Sequence, residues 1–477
     1  MKNELKVADC EEQDVLILGA GLAGLTAAVE AAAKGARVTV LDKMEPMVGK
    51  KVNKLYAPGG AANDTYRAGG GGLSRFSLEG PIDELLERHQ ARGAGRVDTV
   101  LLRAYLERVD KDCRWLRDDL KMPYHNKNGA HKGRVLGKGP AICSFFYKLC
   151  AERGVRIFFQ TKALKLLTEG TKVMGARVRS KEGEFDFKAK TVVLATGSFT
   201  GNQEMMLKYV GPDITYLPLI TGSTYNTGDG LIMAAALGAQ LNNLTVCHIR
   251  TTDKLLGEGP SRGLLNLYHS GIYINRNGQR FLDEGISDSD TIGNAIAYQP
   301  DHEAALIFDD KARALHREEF EAYPHKNHVM QVADSLAELA VKIKVAPEGL
   351  IKTITDFNRQ VQDGQALNLP IPKTAHALTV DRAPYYALYP VWPGLNHPLG
   401  GLKINTKTQV LNLENEPIPG LYAAGSIVNW AFGKPYEIAG VKTYKGSYHA
   451  GSSSGFGTAL VFGRLAGKYA AQEALPI

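Results

Sequence analysis

The chain has 477 residues, 44% hydrophobic and 22% charged, the balance of a soluble globular protein with room for one large or two to three ordinary domains. Its net charge of +7 comes without a basic run interleaved with aromatics, so a nucleic-acid surface is excluded as a partner and an electropositive cleft for an anionic substrate is allowed. The five cysteines, Cys10, Cys113, Cys143, Cys150 and Cys247, form no CxxC pair, which argues against a metal site or thiol redox chemistry; with a polar start and no apolar run of membrane-spanning length, a cytoplasmic protein is expected.

The first predicted element is a strand, Val15 to Leu18. Gly19-Ala-Gly21-Leu-Ala-Gly24 follows, then an Ala-rich helix to Lys34, a stop at Gly35, and a second strand, Arg37 to Leu41, ending at Asp42 and Lys43. This is the βαβ dinucleotide fingerprint in its required context. Gly19 permits the tight turn, Gly21 lets backbone approach a pyrophosphate, and Gly24 lets helix and strand pack. The helix N-terminus favours the phosphates, and Asp42 stands where a ribose hydroxyl would be accepted. The fingerprint alone does not choose between FAD and NAD. No second one occurs downstream.

Further along, Asn63 to Gly72 is a Gly-rich loop that includes Gly70 and Gly71. Thr191 to Phe199, TVVLATGSF, is an apolar strand closing on Ala195-Thr196-Gly197, and Asn226-Thr-Gly-Asp229-Gly opens a helix. Asn275 to Glu284 reads NRNGQRFLDE; Ala333 to Gln362 has helical spacing with a break near Pro347; Leu367 to Lys373 is a plausible hinge. His397-Pro-Leu-Gly-Gly-Leu402 precedes Asn405, PGLYAAG ends at Gly425 before Ser426, and Gly455 to Gly467 is a Gly-opened helix.

This order of motifs resembles, over nearly the whole chain, the FAD-dependent family of fumarate reductase and succinate dehydrogenase flavoproteins, 3-ketosteroid dehydrogenases and tricarballylate dehydrogenase. The resemblance implies an α/β fold: a Rossmann-like FAD-binding domain with a parallel sheet in two pieces, 1–245 and 376–477, and an inserted α+β capping domain, 246–375. It implies FAD contacts from Gly19, Gly21, Gly24, Asp42, Lys43, Gly70, Gly71, Ala195, Thr196, Gly197, Asp229, Gly425 and Ser426. Covalent members of the family attach the flavin through a His near the Gly-rich loop; no His lies between Met44 and Gly80 here, so FAD is expected to be non-covalent.

Catalytic expectations follow from the same resemblance. Asp288, eight residues after Arg280, stands where fumarate reductases carry a proton-donating Arg and ketosteroid dehydrogenases a Tyr; a carboxylate in a closed site suits a base. His248 and His397 match histidines that bind a substrate carboxylate, and Arg250 adds charge. The carboxylate-clamping Arg of the last substrate loop has no counterpart in Gly446 to Ser452, where Tyr448 stands near a ketone-binding Tyr. Tyr386 and Trp115 are candidate pocket aromatics. The implied activity is an FAD-dependent dehydrogenase that forms a C=C bond α,β to a ketone, on a small keto acid such as 4-oxocyclohexanecarboxylate or another cyclic ketone. Alkene reduction, ketosteroid dehydrogenation and a non-enzymatic binding module are the alternatives, and oxygen, a quinone or a carrier protein the candidate electron acceptors.

Overall fold

The computed structural model describes residues 12–45, 81–92, 97–122, 124–126, 133–135, 138–219, 223–253, 265–285, 289–321, 329–428, 436–438, 441–444 and 456–476. Strand β1, Gln13–Leu18, is buried along its whole length. Helix α1, Leu22–Ala32, follows, then β2, Val38–Leu41. Helix α2 spans Thr99–Arg114, capped by the Asp98 side chain on the N–H groups of Val100 and Leu101. Strand β3, Arg156–Phe158, leads to β4, Lys162–Glu169, β5, Lys172–Ser180, and β6, Gly183–Leu194.

The chain next forms the short helix α3, Asp229–Ala235, and moves into a second sheet. Its members are β7, Cys247–Asp253, β8, Ile272–Ile274, and, after helix α4, Ser289–Ala297, β9, Ala304–Asp309. Strand β10, Met330–Ala333, helices α5, Leu336–Lys342, and α6, Pro347–Gln360, and β11, Tyr385–Pro398, complete it. The order is β7-β11-β9-β8 with β10 also on β11, and every pairing is antiparallel. The long β11, Tyr385–Pro398, which falls within the expected second piece of the FAD domain, pairs with β7, β9 and β10 and organises this sheet. Two apolar clusters fill the two faces. One centres on Leu306 and Phe308, the other on Ile307, Leu350 and Phe357 of α6.

The return strands β12, Gln409–Leu411, and β13, Pro417–Ala423, rejoin the first sheet, whose order is β12-β13-β6-β1-β2-β3, with β5 on β6 and β4 on β5. The run from β13 to β3 is parallel. Helix α7, Phe456–Ala474, crosses α1 closely: a Cβ on Gly463 would lie 2.1 Å from Thr26 Oγ1, and one on Gly467 2.1 Å from the Ala27 carbonyl oxygen. These glycines stand four apart, on one helix face. The Ala-rich surface of α1 and this Gly face let two backbones approach where larger side chains would hold them apart. Among the described residues no helix is long and apolar enough to cross a membrane.

Candidate cofactor cleft and active site

Strands β1, β6 and β13 are neighbours, so the turns after their carboxyl ends meet at one edge of the sheet. This is where open α/β sheets bind ligands. At Gly19 the chain takes φ +111°, and a Cβ there would come within 2.3 Å of the Ala195 carbonyl oxygen. A Cβ on Gly24 would be 1.9 Å from the Gly19 carbonyl oxygen, so Gly24 is the packing glycine behind the turn. Gly21 precedes α1 in extended conformation and gives no side-chain cap, leaving the first-turn N–H groups to the cleft it lines. Asp42 is 5% exposed; Oδ2 accepts the Ala20 N–H at 2.7 Å and Oδ1 the Met44 N–H at 2.9 Å.

The same cleft is lined by Gly19, Asp42 and Lys43, by Ala195, Thr196 and Gly197 after β6, by Asp229, and by Gly425 and Ser426 after β13. Thr196 Oγ1 is shut off from solvent without a hydrogen-bond partner among the described residues. Free helix-terminal donors, a buried acid beside them and an orphaned hydroxyl in one cleft fit a dinucleotide-type cofactor. Lys43 Nζ donates to Asp229 Oδ2 and to Thr227 Oγ1, both at 2.6 Å, and Lys162 Nζ lies 3.2 Å from Asp229 Oδ1. Burial pushes the Asp229 carboxyl up, but the hydrogen bonds and charges of Lys43 and then Lys162 outweigh it and hold it below the usual carboxylate range. Lys162, at the start of β4, belongs to no sequence motif. Only the placement of β3 beside β2 brings it to the cleft.

In the second sheet His248 and His397 are directly paired across β7 and β11. Their rings meet edge to face, centroids 5.6 Å apart. The next pair is Ile249 with Leu395, so Asn396 is the extra residue of a β-bulge. Its amide Nδ2 lies 2.9 and 3.0 Å from the two ring nitrogens of His248. Arg250, two residues along β7, shares the His248 face. Beyond Pro398 the Leu399 N–H donates to the Val246 carbonyl at 2.8 Å, and Leu402 N–H to that of Ile427 at 2.8 Å, which ties the histidine end of the sheet to the turn carrying Gly425 and Ser426.

Helix α4 lies against β7 so closely that a Cβ on Gly293 would come 2.5 Å from the Arg250 carbonyl carbon. The segment that leads toward α4 is clamped. Glu284, wholly buried, receives Arg280 Nη2 at 2.7 Å and the Tyr273 N–H at 2.9 Å. Lys373, also wholly buried, donates to the Gly271 carbonyl at 2.6 Å and stands 4.0 Å from Glu284. Asp283 accepts the Thr374 Oγ1–H at 2.7 Å and the Gly285 N–H at 2.9 Å. Burial raises the Glu284 carboxyl, yet Arg280 and Lys373 together bring it below its ordinary value; burial pushes the less well compensated Lys373 down to about 8.

Residues 14–442 match the family model described as FAD binding domain. The chain belongs to that family. This flavoprotein is 29% identical to a probable fumarate reductase of Shewanella frigidimarina (strain NCIMB 400), over 98% of this chain and 76% of that protein. It is 27% identical to a 4-oxocyclohex-2-ene-1-carboxylate 5-dehydrogenase of Sinomonas cyclohexanicum, over 70% of this chain and 60% of that one. Its fold is similar to the open conformation of a flavocytochrome c3 fumarate reductase, with a TM-score of 0.68 and 27% identity, covering 98% of this chain and 79% of the other. It is an FAD-dependent oxidoreductase of the fumarate reductase family, whose members act on C=C and CH–CH groups.

The structure of the flavoprotein thus gathers the fingerprint residues in one cleft and pairs His248 with His397. It uses two of the expected aromatics otherwise. Tyr386 stacks on Phe308, centroids 5.3 Å apart and planes 8° apart, inside a cap core at the far end of β11 from His397. Trp115 carries the Arg464 guanidinium 3.9 Å above its ring and packs on the first core. Both side chains pack against these neighbours. Gly70, Gly71, Asp288 and Tyr448 lie outside the described residues. Asn396 was missed because a bulge residue leaves no mark in the sequence pattern.

Proposed function

We propose that the flavoprotein introduces a C=C bond α,β to a ketone in a small cyclic keto acid of the 4-oxocyclohexanecarboxylate kind, with FAD held non-covalently. The observation that carries this reading is the His248–His397 pair with Arg250 on the same face, tied through Leu402 and Ile427 to the cofactor turn. FAD, when bound, supplies the hydride acceptor. The chain's own residues orient the substrate and move the proton. His248, His397 and Arg250 hold the substrate's oxygens. Asp288, one residue before α4, takes the proton next to the carbonyl, and Tyr448 donates to the ketone oxygen as charge develops there. A Tyr rather than a second clamping Arg in Gly446 to Ser452 favours a ketone over a plain dicarboxylate. Cys113 and Cys150 are free thiols, which favours a reducing, cytoplasmic setting.

The test is anaerobic mixing of the yellow protein with 4-oxocyclohexanecarboxylate. Bleaching of the flavin band is expected, and Asp288→Asn should slow it by about 10²–10⁴-fold. A flavin that no saturated ketone or keto acid bleaches, but that an α,β-unsaturated acid reoxidises after dithionite reduction, overturns desaturation. That outcome selects the second reading, reduction of an activated alkene, which the likeness to a probable fumarate reductase over 98% of this chain and 76% of that protein favours.

A further inference from the structure

We propose that Lys162 is a cofactor-binding residue: held in place by Asp229, its ammonium group donates to the adenosine end of FAD. Three observations converge. The first is placement. The Thr161 N–H donates to the Asp42 carbonyl at 2.9 Å and the Asp42 N–H to that of Phe158 at 2.9 Å, so the turn from β3 to β4 is bound to the residue at the ribose position. Thr161, Lys162 and Ala163 line the cleft beside Asp42. Thr161 turns its hydroxyl to the Phe159 carbonyl at 3.1 Å, and Ala163 has no polar side-chain atom. Of the three, Lys162 is the side chain with N–H groups to offer.

The second observation is orientation. Lys162 Nζ lies 3.2 Å from Asp229 Oδ1, while Oδ2 takes Lys43 at 2.6 Å. An ammonium carries three N–H donors, and this pair occupies one of those of Lys162. The Lys162 side chain is 46% exposed, and an ion pair so open to water adds little to folding by itself. A nucleotide laid over it removes that water and strengthens the contact. The third is charge. Asp42 and Asp229 balance Lys43 and Lys162, so this end of the cleft is neutral as a whole. Neutrality suits an unphosphorylated adenosine, and the diphosphate is left to the first-turn N–H groups of α1. Lys162 holds FAD in this way whichever reaction the flavin serves.

The experiment is release of FAD from the loaded protein on serial dilution, read as a rise in flavin fluorescence, together with its displacement by ADP at a fixed excess of FAD. Lys162→Met keeps the aliphatic stem and should weaken FAD by about tenfold, as the loss of one charge-assisted hydrogen bond predicts. ADP shares the adenosine, so it should weaken equally, and the ADP concentration that displaces half of the FAD should stay where it is in the parent. Lys162→Arg should restore most of the affinity. In an Asp229→Asn background Lys162→Met should cost clearly less, because the ammonium has already lost its anchor. An unchanged FAD affinity in Lys162→Met overturns the proposal. So does a loss that Lys162→Arg leaves in full, or one that lets ADP displace FAD at about tenfold lower concentration, since the effect then lies in the turn itself or on the flavin side. The loss should persist at high salt, where attraction of a distant phosphate is screened; a loss that salt abolishes overturns the adenosine contact in favour of long-range steering of the diphosphate.

Discussion

The cofactor cleft and the base of the cap solve the same problem, holding a loop in one place, by opposite means. In the cleft the backbone does it. Gly19 and Gly24 let main-chain atoms approach to distances that a single Cβ would block, and the acid Asp42 is fixed by two N–H groups of its own βαβ unit. In the cap, charged side chains are taken out of water: Glu284 and Lys373 are fully buried, and Arg280 is 6% exposed at its side chain. Apart from the approach of Gly19 to Ala195, backbone construction is local in sequence. The ion cluster is not, since Lys373 comes from the segment after α6 and meets Glu284 only in the folded chain.

The contrast is broken most severely at Glu284. Glu284→Gln leaves two buried cations without their counter-charge, and a loss of about 3–5 kcal/mol is expected, read as a lower urea midpoint. Lys373→Met should cost clearly less, because Glu284 keeps Arg280 at 2.7 Å and the remaining pair is still neutral. Equal losses in the two variants would show that the two cations do not share one carboxylate.

The next effect belongs to the cleft. Gly24→Ala sets a Cβ 1.9 Å from the Gly19 carbonyl oxygen, a backbone atom that cannot swing aside. Overpacking of this kind costs about 1–3 kcal/mol, and it should appear mainly as weakened FAD binding because the displaced turn carries the phosphate-facing donors. Flavin titration of the apoprotein measures it. A variant that binds FAD as tightly as the parent would mean that α1 can move off β1 without disturbing the turn.

This contrast also explains what was readable beforehand. The βαβ unit, the TVVLATGSF and PGLYAAG strands and the cleft residues from Gly19 to Ser426 were legible because each records a local steric requirement. The second sheet was less legible: β11 carries Tyr385 and Tyr386 at one end and His397 at the other, and only its register shows that the whole strand belongs to one antiparallel sheet. Sequence gives no depth for Tyr386; its stacking partner Phe308 lies on a different strand. Lys162 and Asn396 carried no local signal. One depends on strand order, the other on a slipped register.

The smallest effect concerns a histidine group beside the clamp. His316 Nε2 lies 2.7 Å from Ser270 Oγ, and His269, whose Nδ1 is 2.8 Å from the Glu284 carbonyl oxygen, sets its ring beside that of His376, centroids 5.4 Å apart and planes tilted by 37°. Burial, then the neighbouring His376 and His269, push His316 below its ordinary value despite Glu319 nearby. A base with a depressed folded value binds its proton more readily in the unfolded chain. Its cost is therefore absent above the unfolded value of about 6.5 and grows as pH falls through the window down to the folded value. Stability should decline on mild acidification with a slope of at most about 1.4 kcal/mol per pH unit from this one site. His316→Gln should flatten that slope while leaving stability near pH 8 little changed. Urea midpoints measured from pH 8 to pH 5 decide it: an equally steep decline in the variant would place the acid sensitivity elsewhere, and a decline that vanishes would show the cap, rather than the glycine-built cleft, to be the region that mild acid loosens first.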